Sequence, residues 1–329
     1  MTIRARLLTL LATLATLALV LVGAGCGGDG GGGSSEDAQA LLDKAYKKQI
    51  KSADVKFEIE AQLDGVEEAK GPLKLTLEGP YKQDSPEELP VLDWDINASG
   101  AGKEFSGGLT ITENNAFVEY KGQTYEVGSE LFSQFKQQTA QQQQSFTPEG
   151  LRRIGFDPTK WLKDPELKDG EDIGGDSTQL VTGDVEVRKV IEDFFDLLSS
   201  DAFKQQLQRQ GQVVPDLSKP SEEELQKIEQ AIDELKFEAN IDDQDRVRRT
   251  LIDGDFTVPE GTDAGELKGG SVLFEFVFEK VDIDPSIEAP ANPKPLSELA
   301  EQFGVGGLLG GSGASPGTPG APPGGYQTP

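Results

Sequence analysis

Hydrophobic positions follow three different rules in succession along this chain. Residues 7–22 are an unbroken run of Leu, Ala, Val and Thr without a charge. Residues 36–50 place Ala38, Leu41, Leu42, Ala45 and Tyr46 at helical spacing. Ser35 stands where a cap belongs and Glu36 and Asp37 occupy the first turn, which predicts an amphipathic helix. From residue 55 the period falls to two. Val55, Phe57, Ile59, Ala61 and Leu63 alternate with Lys56, Glu58, Glu60 and Gln62, and Asp64-Gly65 supplies a turn. The same alternation recurs at Leu73, Leu75 and Leu77, at Leu92, Trp94, Ile96 and Ala98, at Leu109 and Ile111, at Ala116, Val118 and Tyr120, and at Tyr125 and Val127. Short strands with one apolar and one polar face describe an antiparallel meander whose dry side needs a cover.

The second half supplies that cover and then returns to strands. Helical spacing is expected over residues 129–144, in two short turns over 148–162 split by Gly155, and most clearly over 187–198. There Val187, Val190, Ile191, Phe194, Phe195 and Leu198 form a continuous stripe. Ser221 with Glu224 fits a capping box for a helix through Glu234, with Leu225, Ile228 and Ile232 inward. Strands are expected at 178–181, 237–241, 247–253 and 272–281. The last is the most apolar and predicts a mid-sheet position with Phe274, Phe276 and Phe278 on one face under the helices. Strands, then helices, then strands give an α+β class: a large antiparallel sheet with its helices segregated to one face.

Composition removes whole classes of chemistry. The chain has no histidine and one cysteine, so Ser-His-Asp and Cys-His catalysis, His or Cys zinc sites and an internal disulfide framework are excluded. Its 58 acidic and 31 basic residues give a net charge of −27, a field that repels nucleic acid and bare anionic lipid surfaces alike. Asp242, Asp243 and Asp245 lack the Gly and terminal Glu of a calcium loop. They read as a solvated turn offset by Arg246, Arg248 and Arg249. Composition leaves catalysis by carboxylates or by a Ser-Lys pair open, but no nucleophile–base constellation is visible, so no catalytic residue, metal or cofactor is expected and a non-enzyme is favoured over a hydrolase.

The single cysteine, Cys26, follows Gly23-Ala24-Gly25 at the end of the apolar run, with Arg4 and Arg6 ahead of it. A lipoprotein signal needs small residues before the scissile bond and a thiol at the first mature position to carry the lipid, and 23–26 resembles that lipobox, Gly23 departing from its usual Leu or Val. The expected organisation is a signal peptide over 1–25, lipidated Cys26 with a Gly-rich tether over 26–35, a folded domain over 36–303 and a disordered Gly/Pro-rich tail over 304–329. Cleavage removes Arg4 and Arg6 and no acid, moving the net charge from −27 to −29. The mature chain is expected on the extracytoplasmic face of the cell membrane as a lipid-anchored monomer, with sorting to an outer membrane left open.

Several short stretches together resemble the LppX/LprG-type lipoproteins of actinobacterial envelopes, which share the half-open barrel of the carrier LolA. They are Leu41-Leu42-Asp43-Lys44-Ala45 before Lys51-Ser52-Ala53-Asp54-Val55, Asn115-Ala116-Phe117-Val118 leading to Tyr125-Glu126-Val127-Gly128, Phe156-Asp157-Pro158, and Gly170 through Gly175 to Thr178 with Val181-Thr182-Gly183. The match runs over about residues 37–291, departing at the Gln-rich 137–144 and the long 199–221. The resemblance implies a strongly curved antiparallel sheet, helices over its concave face, an apolar cavity between them for a lipid or glycolipid cargo, and no enzyme activity; a transporter is a further candidate partner. Expected pocket lining is Val190, Ile191, Phe194 and Phe195 on the helix, Phe274, Phe276 and Phe278 on the strand, and Trp94 and Trp161. Taken singly, each of the phenylalanines is better explained as core filling than as direct ligand contact, and only together do they point to a pocket. The alternative is a non-enzymatic envelope interaction module, a partner in transport or cell-wall assembly, with a filled core.

Overall fold

A computed structural model describes residues 35–302 apart from 70, 86–87, 141–156, 201–203, 205–220 and 260–265. The signal segment, Cys26, the tether, the tail, the turns expected over 148–156 and nearly all of 199–221 lie outside the described residues. Among those described, no helix is long and apolar enough to cross a membrane.

Twelve strands form one open sheet. In chain order they are β1 (Ser52–Asp64), β2 (Leu73–Lys82), β3 (Val91–Gly100), β4 (Lys103–Ile111), β5 (Ala116–Tyr120), β6 (Gln123–Glu126), β7 (Leu162–Asp169), β8 (Thr178–Val185), β9 (Ile232–Asp242), β10 (Val247–Thr257), β11 (Gly269–Val281) and β12 (Lys294–Pro295). The spatial order is β12-β6-β5-β4-β3-β2-β1-β11-β10-β9-β8-β7. Every pairing is antiparallel except the two-residue contact of β12 with β6 at one edge. β11, the strand richest in apolar residues, lies mid-sheet between β1 and β10, because only a central strand is covered along its whole length on both edges.

Alternation decides which face is dry. Val55, Phe57 and Ile59 of β1 stand beside Phe278, Phe276 and Phe274 of β11, and on the other side Phe57 and Ile59 stand beside Leu77 and Leu75 of β2. The opposite face carries a charge ladder: Lys74 donates to Glu58 at 2.5 Å, and Arg249 reaches Glu275 at 2.7 Å and Glu238 at 3.2 Å. Strand twist accumulates across a sheet this wide, and register shifts in β1, in β7 and twice in β10 add local bends, so the sheet curves around its apolar side. Gly79 (φ 145°) is required at one close approach, since a Cβ there would fall 2.1 Å from the Asp93 carbonyl oxygen of the neighbouring strand.

Among the described residues five α-helices accompany the sheet: α1 (Ser35–Ala45), α2 (Ser129–Ala140), α3 (Val187–Ser199), α4 (Glu222–Ala231) and α5 (Leu296–Gln302). α1 buries Ala38, Leu42 and Ala45 against Leu162, Val181, Phe237, Ala239 and Ile241. A second cluster around Val55, Phe57, Tyr81, Leu92, Trp94 and Phe278 fills the concave side near β1–β3. Tyr81 donates to the Ile50 carbonyl there, so the polar end of a buried ring is satisfied.

Several boundaries differ from the sequence expectation. The second helical turn, expected through Leu162, is confined to Pro158–Lys160, Leu162 opens strand β7 where no strand was expected, and the strand expected at 178–181 runs on to Val185. α4 begins at the expected Ser221–Glu224 capping box but ends at Ala231, and Ile232 starts β9 with no loop between. Ile232 is therefore a strand residue, its N–H closing the helix on the Glu229 carbonyl.

Candidate functional site

The helix pair α3–α4 does not pack flat on the sheet. Ile191 and Phe195 of α3 meet Leu225 of α4, with Val187 and Ile228 beside them, so the helices hold to each other. Arg188 of α3 spans the pair, donating to both carboxylate oxygens of Glu229 at 3.2 and 2.7 Å and to Glu222 at 2.7 Å. α3 is fixed a second time from below. The buried Trp161 donates its Nε1–H to Asp193 at 2.9 Å, and Lys189 donates to the same carboxylate at 3.2 Å.

Between this pair and the sheet lies a cavity of about 230 Å³. Its floor is Ile59 and Ala61 of β1, Val272 and Phe274 of β11, Ile252, Gly254 and Phe256 of β10, and Leu235 and Phe237 of β9. Its roof is Val187, Val190 and Ile191 of α3 with Ile228 and Ala231 of α4. Trp161 contributes its ring, and its one polar atom is already bonded to Asp193. Gly254 keeps the floor low: a Cβ there would come within 2.9 Å of Leu235 Cδ1.

The charged residues at the cavity, Lys227, Glu234 and Asp255, are all exposed and so mark its mouth. Two of them are held by neighbours outside, Lys227 by Glu223 at 2.7 Å and Glu234 by Lys236 at 3.1 Å. The walls thus offer dispersion and apolar surface without a buried donor or acceptor, a surface suited to hydrocarbon. The described residues contain no group of three or more potential metal ligands.

The structure brings together four of the nine residues the sequence nominated: Val190, Ile191, Phe274 and Trp161. Phe195 faces Leu225 in the α3–α4 interface. Phe276, Phe278 and Trp94 belong to the cluster near β1–β3, where Phe276 meets Phe278 edge-on at 4.7 Å and Phe57 at 6.3 Å. These four do not line the cavity. The side chain of Phe194 and all of Cys26 lie outside the described residues. Of the floor, sequence reading nominated Phe274 alone and missed the other eight, among them Ile59, Ala61, Leu235, Gly254 and Phe256. Alternation marked Ile59 and Ala61 as inward-facing, whereas Leu235, Gly254 and Phe256 lie beyond the strands expected at 237–241 and 247–253, and only the register identifies which inward positions lie beneath the helix pair.

The acidic turn is explained without a ligand. Asp242 accepts from Arg246 Nε at 2.8 Å and from Arg248 at 3.4 Å, and Arg246 reaches Asp282 at 2.6 Å. Arg248 is fully enclosed, donating also to the carbonyls of Phe278, Ile173 and Glu279 and to Asp176.

No protein-family model matches the chain, and no curated protein matches it. Among solved structures it is similar to LprF from Mycobacterium bovis, with 15% identity and a TM-score of 0.40 over 79% of this chain and 100% of that one. It is similar also to the Mycobacterium tuberculosis lipoprotein LppX, with 12% identity and a TM-score of 0.36 over 78% and 100% of the two chains. At these values the likeness is one of outline, and the chemistry of the site rests on this chain's own residues. Over most of its length the chain is similar to mycobacterial lipoproteins of the LppX/LprG group, the group its sequence resembles.

Proposed function

We propose that this chain is a membrane-anchored envelope lipoprotein that shelters an acyl chain of a lipid or lipoconjugate in the cavity between the sheet and α3–α4. The observation that carries the reading is an apolar space of about 230 Å³ with charges only at its mouth. An apolar cavity of roughly 150 Å³ stays dry and takes up benzene. Each methylene moved from water into such a space contributes about 0.8 kcal/mol, so ten of them supply about 8 kcal/mol before the costs of association. Head-group choice then falls to the polar mouth, and no step of the function needs a nucleophile or a metal. An interaction module with a filled core fits less well, because the interior under α3 is not filled.

Titration of the purified chain from Gly27 onward with a fluorescent fatty acid tests the pocket. Saturable uptake at one site per chain is expected, and absence of uptake defeats the reading. Cys26→Ala tests the anchor separately and is expected to release the protein from the membrane fraction.

A further inference from the structure

Three features lie on the same rim of the sheet. The first is the start of the folded chain. α1 runs along β7 and β9 with Lys44 paired to Asp245 at 3.0 Å near its C-terminal end, at the turn joining β9 to β10. Gln39, nearer the start, donates to the Thr159 carbonyl at 2.8 Å, just before Leu162 opens β7. Ser35 therefore begins at the rim defined by Leu162 and Val185, away from Asp245.

The second feature is the cavity mouth. Asp184, beside Val185, pairs with Lys236 of β9, and the adjoining rows run through Leu235, Gly254, Val272, Ala61 and Leu73, so Glu234 and Asp255 sit on the same rim as Ser35. The third is an aromatic pair farther along that rim. Phe105 is 40% exposed and stacks on Tyr120 at 5.9 Å, with Lys121 Nζ 5.1 Å from the Tyr120 ring centre. Ala98 pairs with Phe105 and Gly107 with Tyr120, so both rings stand on the concave side. An exposed aromatic beside a lysine is the pairing that settles at a membrane–water interface.

We propose that this rim is the surface by which the chain rests on the bilayer that holds its anchor, so that the cavity mouth opens toward the lipid. The inference uses the anchored reading of Cys26 and fixes the orientation it leaves open. Nine residue steps separate Cys26 from Ser35, roughly 30–32 Å at full extension and about 15–18 Å root-mean-square. Resting on the opposite rim instead would lift Ser35 by the rise of α1 from Lys44 to Ser35, roughly 14 Å, plus the reach of the Lys44 side chain to Asp245. That pose needs a tether drawn out to or past its root-mean-square span, whereas the proposed one does not. Leu131 and Phe135 of α2 are also exposed, but Lys136 donates to the Glu113 carbonyl between β4 and β5, on the far rim.

The test couples Cys26 of the chain from that residue onward to a maleimide lipid in phosphatidylcholine nanodiscs. Amide hydrogen exchange is compared with the same chain capped by N-ethylmaleimide in solution. Exchange is expected to slow about fivefold or more at 100–105, 119–123 and 254–257 on tethering, and to stay unchanged at 243–246 and 113–115. Phe105→Ser is expected to weaken the protection while leaving the coupling intact. Protection at 243–246, 113–115 or α2 in its place, or none at either rim, overturns the proposal. Chemical coupling makes the result independent of native lipidation. Rim protection in a protein that takes up no fatty acid would uphold the orientation and defeat the cargo reading alone.

Discussion

Ala61→Phe separates a cavity that holds cargo from one that is merely a packing fault. Ala61 sits on β1 between Leu73 of β2 and Val272 of β11, on the cavity floor opposite α3–α4. A phenyl ring there projects into the 230 Å³ space and displaces roughly four methylenes of an acyl chain, each worth about 0.8 kcal/mol. The loss is about 3.2 kcal/mol, or roughly 200-fold in Kd for a fatty-acid probe. The same ring enters existing space and suits a strand, so unfolding free energy should change by less than about 1 kcal/mol, against the ~1–3 kcal/mol cost of overpacking a full core. Displacement of a fluorescent fatty acid gives the first number and urea denaturation the second. A variant that binds the probe within threefold of the native protein would show that cargo does not occupy this cavity. One that is destabilised by 3 kcal/mol would show that the space was already taken.

Three further outcomes follow from the same geometry. Arg248→Met leaves Asp242 and three carbonyls without their shared donor, and should cost about 3–5 kcal/mol in denaturant unfolding. Trp161→Phe keeps the cavity wall but removes the bond to Asp193, a loss of about 1.5–3 kcal/mol that should appear as faster hydrogen exchange in α3. Burial pushes the Tyr46 hydroxyl up to about 12, outweighing its 3.4 Å hydrogen bond with Thr250. The unfolded tyrosine ionises first, so stability is intact below about pH 10 and falls as pH rises from 10 toward 12, by on the order of 2 kcal/mol. Tyr46→Phe should flatten that alkaline slope, followed by circular dichroism.

The sheet was legible because burial on one face writes itself as a period of two. Val55 through Leu63 and Phe274 through Phe278 could each be assigned to one face from alternation alone, and the high apolar content of 272–281 placed it mid-sheet. β7 was not legible. Leu162 and Leu167 are its aliphatic residues, Asp164 has φ 47°, and a register shift falls between Lys163 and Glu166 around Pro165, so the alternation is broken within the strand itself. As an edge strand with β8 as its one partner it tolerates that proline. The limit of α4 was hidden for a different reason: Ile232 continues the helical stripe and is out of phase with Leu235, Phe237, Ala239 and Ile241, a register shift between Asp255 and Phe256 bringing it opposite Phe256, and the chain switches period with no intervening turn.

For the site, the stripe on α3 told which helix forms the roof but not where it crosses the sheet. Phe274 and Phe278 share a face yet lie about 13 Å apart along β11, farther than one helix diameter of about 10–12 Å. One of them lines the cavity while the other meets Tyr81 at 6.3 Å in the filled cluster. Alternation supplies the face, and only the crossing of α3–α4 over β1, β9, β10 and β11 supplies the address.

The central claim is that the space under α3–α4 exists to hold hydrocarbon. Mass spectrometry of lipids extracted from the protein purified from its own envelope, compared with Ala61→Phe prepared identically, tests it most directly. The native chain should yield an acyl lipid at close to one per protein and the variant at least tenfold less. Equal yields from the two, or none from either, would contradict the account.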